Sequence, residues 1–186
     1  MNKRQLSIVF GALVLNGISC QSAVNLQRDE FKKATIATLE DSSYIVEDKA
    51  FTDSLESQFL REIPDTGTPS AKVVIKYAAD KDDGSAFNKE AILSLDGETF
   101  PVQVKGVESE VTLKVMGPER DAKVKTGQMI GLTAEINFSQ LHIERLAKAK
   151  TIALRLYLGP TKKTVTVNYS AKVIERIQQW ASVGRN

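Results

Sequence analysis

Apolar and polar residues alternate along several stretches of this chain, and a period of two confines those stretches to β-structure. Ile130, Leu132, Ala134, Ile136 and Phe138 fall on one side, with Thr133, Glu135 and Asn137 on the other. That is the pattern of a strand with one face in a core and one in water. Ala71, Val73, Ile75 and Tyr77 alternate with Lys72 and Lys76, and Val111, Leu113 and Val115 form a further strand ended by Gly117-Pro118. Ile152, Leu154, Leu156 and Leu158 lead to Gly159-Pro160, after which Val165, Val167 and Tyr169 pair back. The clearest local signal is Asp96-Gly97, entered through Ala91, Leu93 and Leu95 and left through Phe100, Val102 and Val104. Asp-Gly tolerates the two positive φ values of a type I′ turn, so this segment is a two-residue hairpin. Pro101 has no N–H to give to a ladder, which places its strand at an edge or a bulge.

Shorter strands are expected over 34–40 and 43–47. Phe51, Leu55 and Phe59 recur at every fourth position, Leu60 and Ile63 join them and Pro64 follows, so the spacing predicts a helix over 49–62. Ser139 is placed to cap a helix of about ten residues carrying Leu141, Leu146 and Ala147. Ser170 is placed to cap the last helix, whose Val173, Ile174, Ile177, Trp180 and Ala181 make one apolar face and which Gly184 follows. Trp180 is expected to pack over the sheet. Hairpins dominate and no strand-helix-strand crossover repeats. The expectation is an α+β fold: mainly an antiparallel sheet or sandwich of about seven or eight strands, with two or three packed helices including a C-terminal one.

The start of the chain is of another kind. Lys3 and Arg4 precede an apolar run over 6–15, then Asn16-Gly17-Ile18-Ser19, then Cys20, the only cysteine present. A basic start, a short apolar run and small residues before a cut are the parts of an export signal. With that cysteine standing at the cut, the folded part holds no disulfide and its core must suffice alone. The expected organisation is a signal over 1–19, a polar tether over 20–33 and one sheet-rich globular domain over 34–186. A short amphipathic helix is the rival reading of the tether.

This stretch resembles the precursors of bacterial lipoproteins, in which a lipobox ends in a cysteine that is acylated and becomes the first residue of the mature protein. Gly17, Ile18 and Ser19 stand where the usual box has Leu, a small residue, and Gly or Ala. Such a relaxed box is similar to those of spirochaete outer-membrane lipoproteins, of Leptospira in particular. The resemblance implies lipidation at Cys20, a membrane contact made through lipid, and, with Gln21 in place of Asp, sorting to the outer membrane. Ordinary signal peptidase cleavage at the same bond is the alternative, since Gly17 and Ser19 satisfy its demand for small residues.

Loss of the signal also changes the charge. The chain has 25 basic and 23 acidic residues; Lys3 and Arg4 leave and no acid does, so the remainder is balanced. A nucleic-acid partner is not expected, because no basic stripe is present to displace counterions. Lys32-Lys33 and Lys162-Lys163 are read as solvated surface.

Catalytic motifs are missing. His142 is the only histidine and has no second His or Cys for a zinc or copper site. No serine sits in a G-x-S-x-G elbow, and neither Gly67-Thr68-Pro69-Ser70 nor Gly159-Pro160-Thr161-Lys162 has phosphate-loop spacing. Asp80-Lys81-Asp82-Asp83-Gly84 is the most metal-like run, but aligning Gly84 with the glycine of a calcium loop puts Ala79 and Lys81 at ligand positions. Asp80, Asp82 and Asp83 remain weak metal candidates against the reading of an acidic surface loop. Asp96 and Glu98 flank a turn and are not expected to pair as acid and base.

No cofactor is implied. The expectation is a non-catalytic envelope lipoprotein that presents a binding or structural domain. Likeness to leptospiral lipoproteins suggests a surface adhesin for host extracellular matrix; a periplasm-facing assembly or transport accessory is the alternative, and an enzyme ranks third.

Overall fold

The computed structural model describes residues 24–46, 52–80, 86–115, 126–159 and 163–184. They form nine strands and two helices. The strands are β1 (Asn25–Asp29), β2 (Ala34–Val46), β3 (Thr52–Pro64), β4 (Ser70–Asp80), β5 (Phe87–Leu95), β6 (Glu98–Val115), β7 (Thr126–Phe138), β8 (Ile152–Leu158) and β9 (Lys163–Asn168). The helices are α1 (Gln140–Leu146), before β8, and α2 (Ala171–Ser182), after β9. The strands make one sheet in the order β1-β2-β3-β4-β7-β6-β5-β8-β9, and every neighbouring pair is antiparallel. An α+β fold that is mostly antiparallel sheet is therefore present.

The alternating residues named from sequence lie on the inner face. Val73, Ile75 and Tyr77 of β4, Leu132, Ala134 and Ile136 of β7, and Leu154, Leu156 and Leu158 of β8 are all buried in one core. Each Val, Leu or Ile among them removed from water stabilises the fold by about 1.5–3 kcal/mol. The sheet is curled: Tyr169, just past β9 at one end of the strand order, meets Ser57 and Phe59 of β3 near the other end. Helix α2 packs on β2 and β3, and α1 packs on α2 and β7. Trp180 has no exposed surface; its Nε1–H donates to the Ala37 carbonyl at 3.1 Å, and its ring stands edge-on to Phe59 and Phe138.

From Thr52 onward the helix expected over 49–62 is a strand. Its described part belongs to β3, paired with β2 from Ala34↔Pro64 to Val46↔Thr52; Phe51 lies outside the described residues. Positions four apart share a face of a strand as well as of a helix, so Leu55 and Phe59 fit both. Alternation was hidden because the inner positions between and beyond them are Ser57 and Arg61, which are 1% and 3% exposed. Each is satisfied inside: Ser57 Oγ hydrogen-bonds Tyr169 Oη at 2.9 Å, and Arg61 donates to the Ala181 carbonyl at the end of α2. The guanidinium thus sits at the negative end of that helix.

Other differences are of extent. The two short strands expected over 34–40 and 43–47 are the single strand β2, and the alternating stretches around Val102 and Leu113 merge into the 18-residue β6. β6 pairs with β5 up to Gln103 and with β7 from Val104 onward, with a register shift between Lys105 and Glu108. Pro101 therefore lies where β6 has one neighbour, as its missing N–H requires. Within the stretch read as tether, Asn25–Asp29 forms β1 against β2 and Val24 packs against the core. At Asp96 and Gly97 φ is +51° and +85°, the hairpin anticipated from sequence, with Leu95 paired to Glu98.

Candidate functional site

Cys20, Asp82 and Asp83 lie outside the described residues, and Asp80 closes β4 opposite Met129. Among the described residues no group of three or more His, Cys, Asp or Glu is placed to hold a metal ion. Also among them, no helix is long and apolar enough to cross a membrane.

The polar residues weighed for chemistry are engaged in holding the fold. Asp96 Oδ1 accepts from the backbone N–H groups of Lys150 and Thr151, each at 2.8 Å, and Asp96 N–H donates to the Thr151 carbonyl at 3.0 Å. The Thr151 N–H first, then that of Lys150, holds the Asp96 carboxyl below its ordinary range. The β5–β6 turn is thereby pinned to the segment entering β8. Glu98 pairs with Arg145 of α1 at 3.2 Å, so the two carboxylates serve different contacts.

His142 completes a capping box at the start of α1. Its backbone N–H donates to Ser139 Oγ and its Nδ1 accepts from Ser139 N–H, both at 3.3 Å. The imidazole takes the place of the usual Glu or Gln. Its ring is edge-on to Phe100 and Phe138, and partial burial lowers its pKa. Tyr169 is buried beside Ser57, and burial, only partly opposed by the Ser57 hydrogen bond, pushes its phenol well above the ordinary range. These are the properties of packed structural groups.

Several grooves open on the surface of the described residues, among them two with charged side chains in their walls. The larger, about 850 Å³, runs over β5, β6 and β8 where the β5–β8 register shifts between Phe87 and Ala91; Ile92, Pro101 and Tyr157 give it apolar walls and Glu90 and Gln103 a polar rim. The smaller, about 200 Å³, brings Glu40, Asp41 and Glu56 near Lys76 on β2, β3 and β4. Gln58 donates to Glu40 there at 2.8 Å.

The turn between β1 and β2 is the surface feature that sequence reasoning treated as solvated tether. Phe31 at its tip is 104% exposed, as open as a side chain in an extended peptide. Asp29 Oδ1 accepts from the backbone N–H groups of Phe31 and Lys32, each at 3.0 Å. Arg28 makes two hydrogen bonds of 2.6 Å to Asp65 in the β3–β4 turn, whose N–H donates to the Lys33 carbonyl at 2.9 Å. Lys32 pairs with Glu62 at 3.0 Å. A phenylalanine followed by Lys32 and Lys33 was the available signal, but only the bracing distinguishes it from loose surface.

No protein-family model, curated protein or solved structure matches this chain.

Proposed function

We propose that this chain is a non-catalytic envelope lipoprotein, held to the outer membrane by acyl groups on Cys20 and presenting its sheet for binding. What supports this reading is the only cysteine, Cys20, standing just after a basic start and an apolar run; four residues later Val24 already packs against the core. Lipid at Cys20 would then hold the sheet itself near the bilayer, with no long linker between. Several acyl chains, each contributing about 0.8 kcal/mol per buried methylene, make such attachment lasting.

The binding role is one of contact with a protein partner, either host matrix or another envelope protein. β1 and β9 end the strand order, and an unpaired strand edge can add a partner's strand by backbone hydrogen bonding. On β9 the span Thr164, Val165, Thr166 and Val167 contains no charge and no proline, the features that blunt an edge.

Two measurements test the reading. Palmitate labelling of cells marks the native protein and not Cys20→Ala; absence of label from both removes the lipoprotein assignment. Protease applied to intact cells digests a surface adhesin, and the purified domain then retains laminin or fibronectin saturably. Protection until the outer membrane is opened assigns the protein to the periplasmic side and excludes adhesion.

A further inference from the structure

We propose that the β1–β2 turn is a second membrane contact, in which Phe31 enters the lipid headgroup layer and lays the β1 edge along the bilayer. Among the described residues the exposed large hydrophobic side chains are Leu26, Phe31 and Leu141. Two of the three therefore fall in β1 and its turn, within a short stretch after Cys20. A single exposed apolar residue is ordinary on a protein surface. Phe31 differs in being wholly exposed on a turn that Asp29, Arg28–Asp65 and Lys32–Glu62 hold in place, with Lys33 at φ +46°. A non-glycine residue in that region is conformationally costly. The turn holds the ring away from the core.

The occupant follows from the length of chain leading to the turn. From Cys20 to Val24 the backbone spans at most about 14 Å, so an acylated Cys20 keeps the start of β1 at the bilayer surface. β1 itself covers only about 17 Å, and Phe31 follows directly. With β1 lying along the membrane, the ring reaches the interfacial layer where aromatic side chains partition. Lys33 follows with an apolar stem and an ammonium head, able to extend toward phosphate while the stem covers lipid, and Lys32 stays on Glu62 as part of the brace. The contact rests on the acylation reading for its proximity, and the test separates the two.

Phe31→Trp and Leu141→Trp proteins, each retaining buried Trp180, are compared with the parent protein on phosphatidylethanolamine/phosphatidylglycerol vesicles. Each is attached in two ways: through the native acyl groups, and, for unacylated protein, through a maleimide lipid coupled to Cys20. The added indole at 31 shifts to the blue on vesicles, loses emission to lipids brominated in the acyl chain and is shielded from aqueous iodide; the indole at 141 does none of these. If the indole at 31 stays open to iodide on vesicles as in solution, with no bromolipid quenching in either attachment, the contact is overturned. If intact mass finds no acyl group on Cys20 from cells while the coupled protein still shows quenching at 31, the acylation reading fails and the membrane contact stands.

Discussion

At the scale of single residues, buried polar groups account for much of this molecule's character. His142 is favoured neutral in the folded state, since burial lowers its pKa below the ordinary 6.5 and its Nδ1 accepts the Ser139 N–H. The unfolded chain then binds the proton more readily. Stability contributed by the neutral imidazole is thus present above about pH 6.5 and falls as the pH drops through that value toward the lower folded pKa. Denaturant midpoints measured across this range should show the fall in the native protein and its absence in His142→Gln, which keeps a capping-box side chain; equal pH dependence in both would remove the assignment. The Ser57–Tyr169 pair gives a second test. Ser57→Ala or Tyr169→Phe alone leaves a partner unsatisfied at a cost of about 1–3 kcal/mol, while the double variant costs less than the sum. Trp180→Ala, which empties the centre of the aromatic cluster, should cost about 3–5 kcal/mol.

At the scale of elements, the two serines expected to cap helices separate cleanly. Ser139 accepts from the His142 N–H, whereas Ser170 has the extended backbone of a cap and no side-chain cap bond. Ser139→Ala should therefore lower unfolding free energy by about 1 kcal/mol, and Ser170→Ala by clearly less. Past α2, Gly184 has φ +69°, and a Cβ there would stand 3.0 Å from Ile63 Cδ1. Gly184→Ala should destabilise by about 1–2 kcal/mol from the backbone alone. What was legible in the sequence follows the same physics. β4, β5, β7, β8 and β9 fill nearly every described inner position with apolar residues, so alternation announces them. β3 places Ser57 and Arg61 inward and escaped notice, because their partners, Tyr169 and the end of α2, are remote in the chain. β1 escaped because it is a short edge strand with four of its five residues exposed. The braced turn at Phe31 depends on Asp65, which no local pattern connects to Arg28.

At the scale of the whole molecule, one core runs under both helices and most of the sheet, and its described part contains neither a disulfide nor a clustered metal site. A protein beginning at Gln21 should unfold in a single transition, unmoved by chelator or reductant; a large shift with chelator would revive Asp80, Asp82 and Asp83 as ligands. Starting instead at Ala34 removes the β1 pairings and the packing of Val24, so its denaturant midpoint should be lower.

The strand order also sets a timetable. Hairpins β1 to β4 can form from neighbouring chain, but β4 finds its other partner only when Ala71 meets Phe138, and β5 waits for Leu93 to meet Leu154. Closing such long loops carries an entropic toll that local turns do not, and proteins rich in distant pairings fold slowly. Until β7 arrives, the β4 edge on that side has no strand to pair its backbone groups. Emergence of residues up to 138 is the event that closes that edge, so the interval during which it stands open is written into the path of the strands.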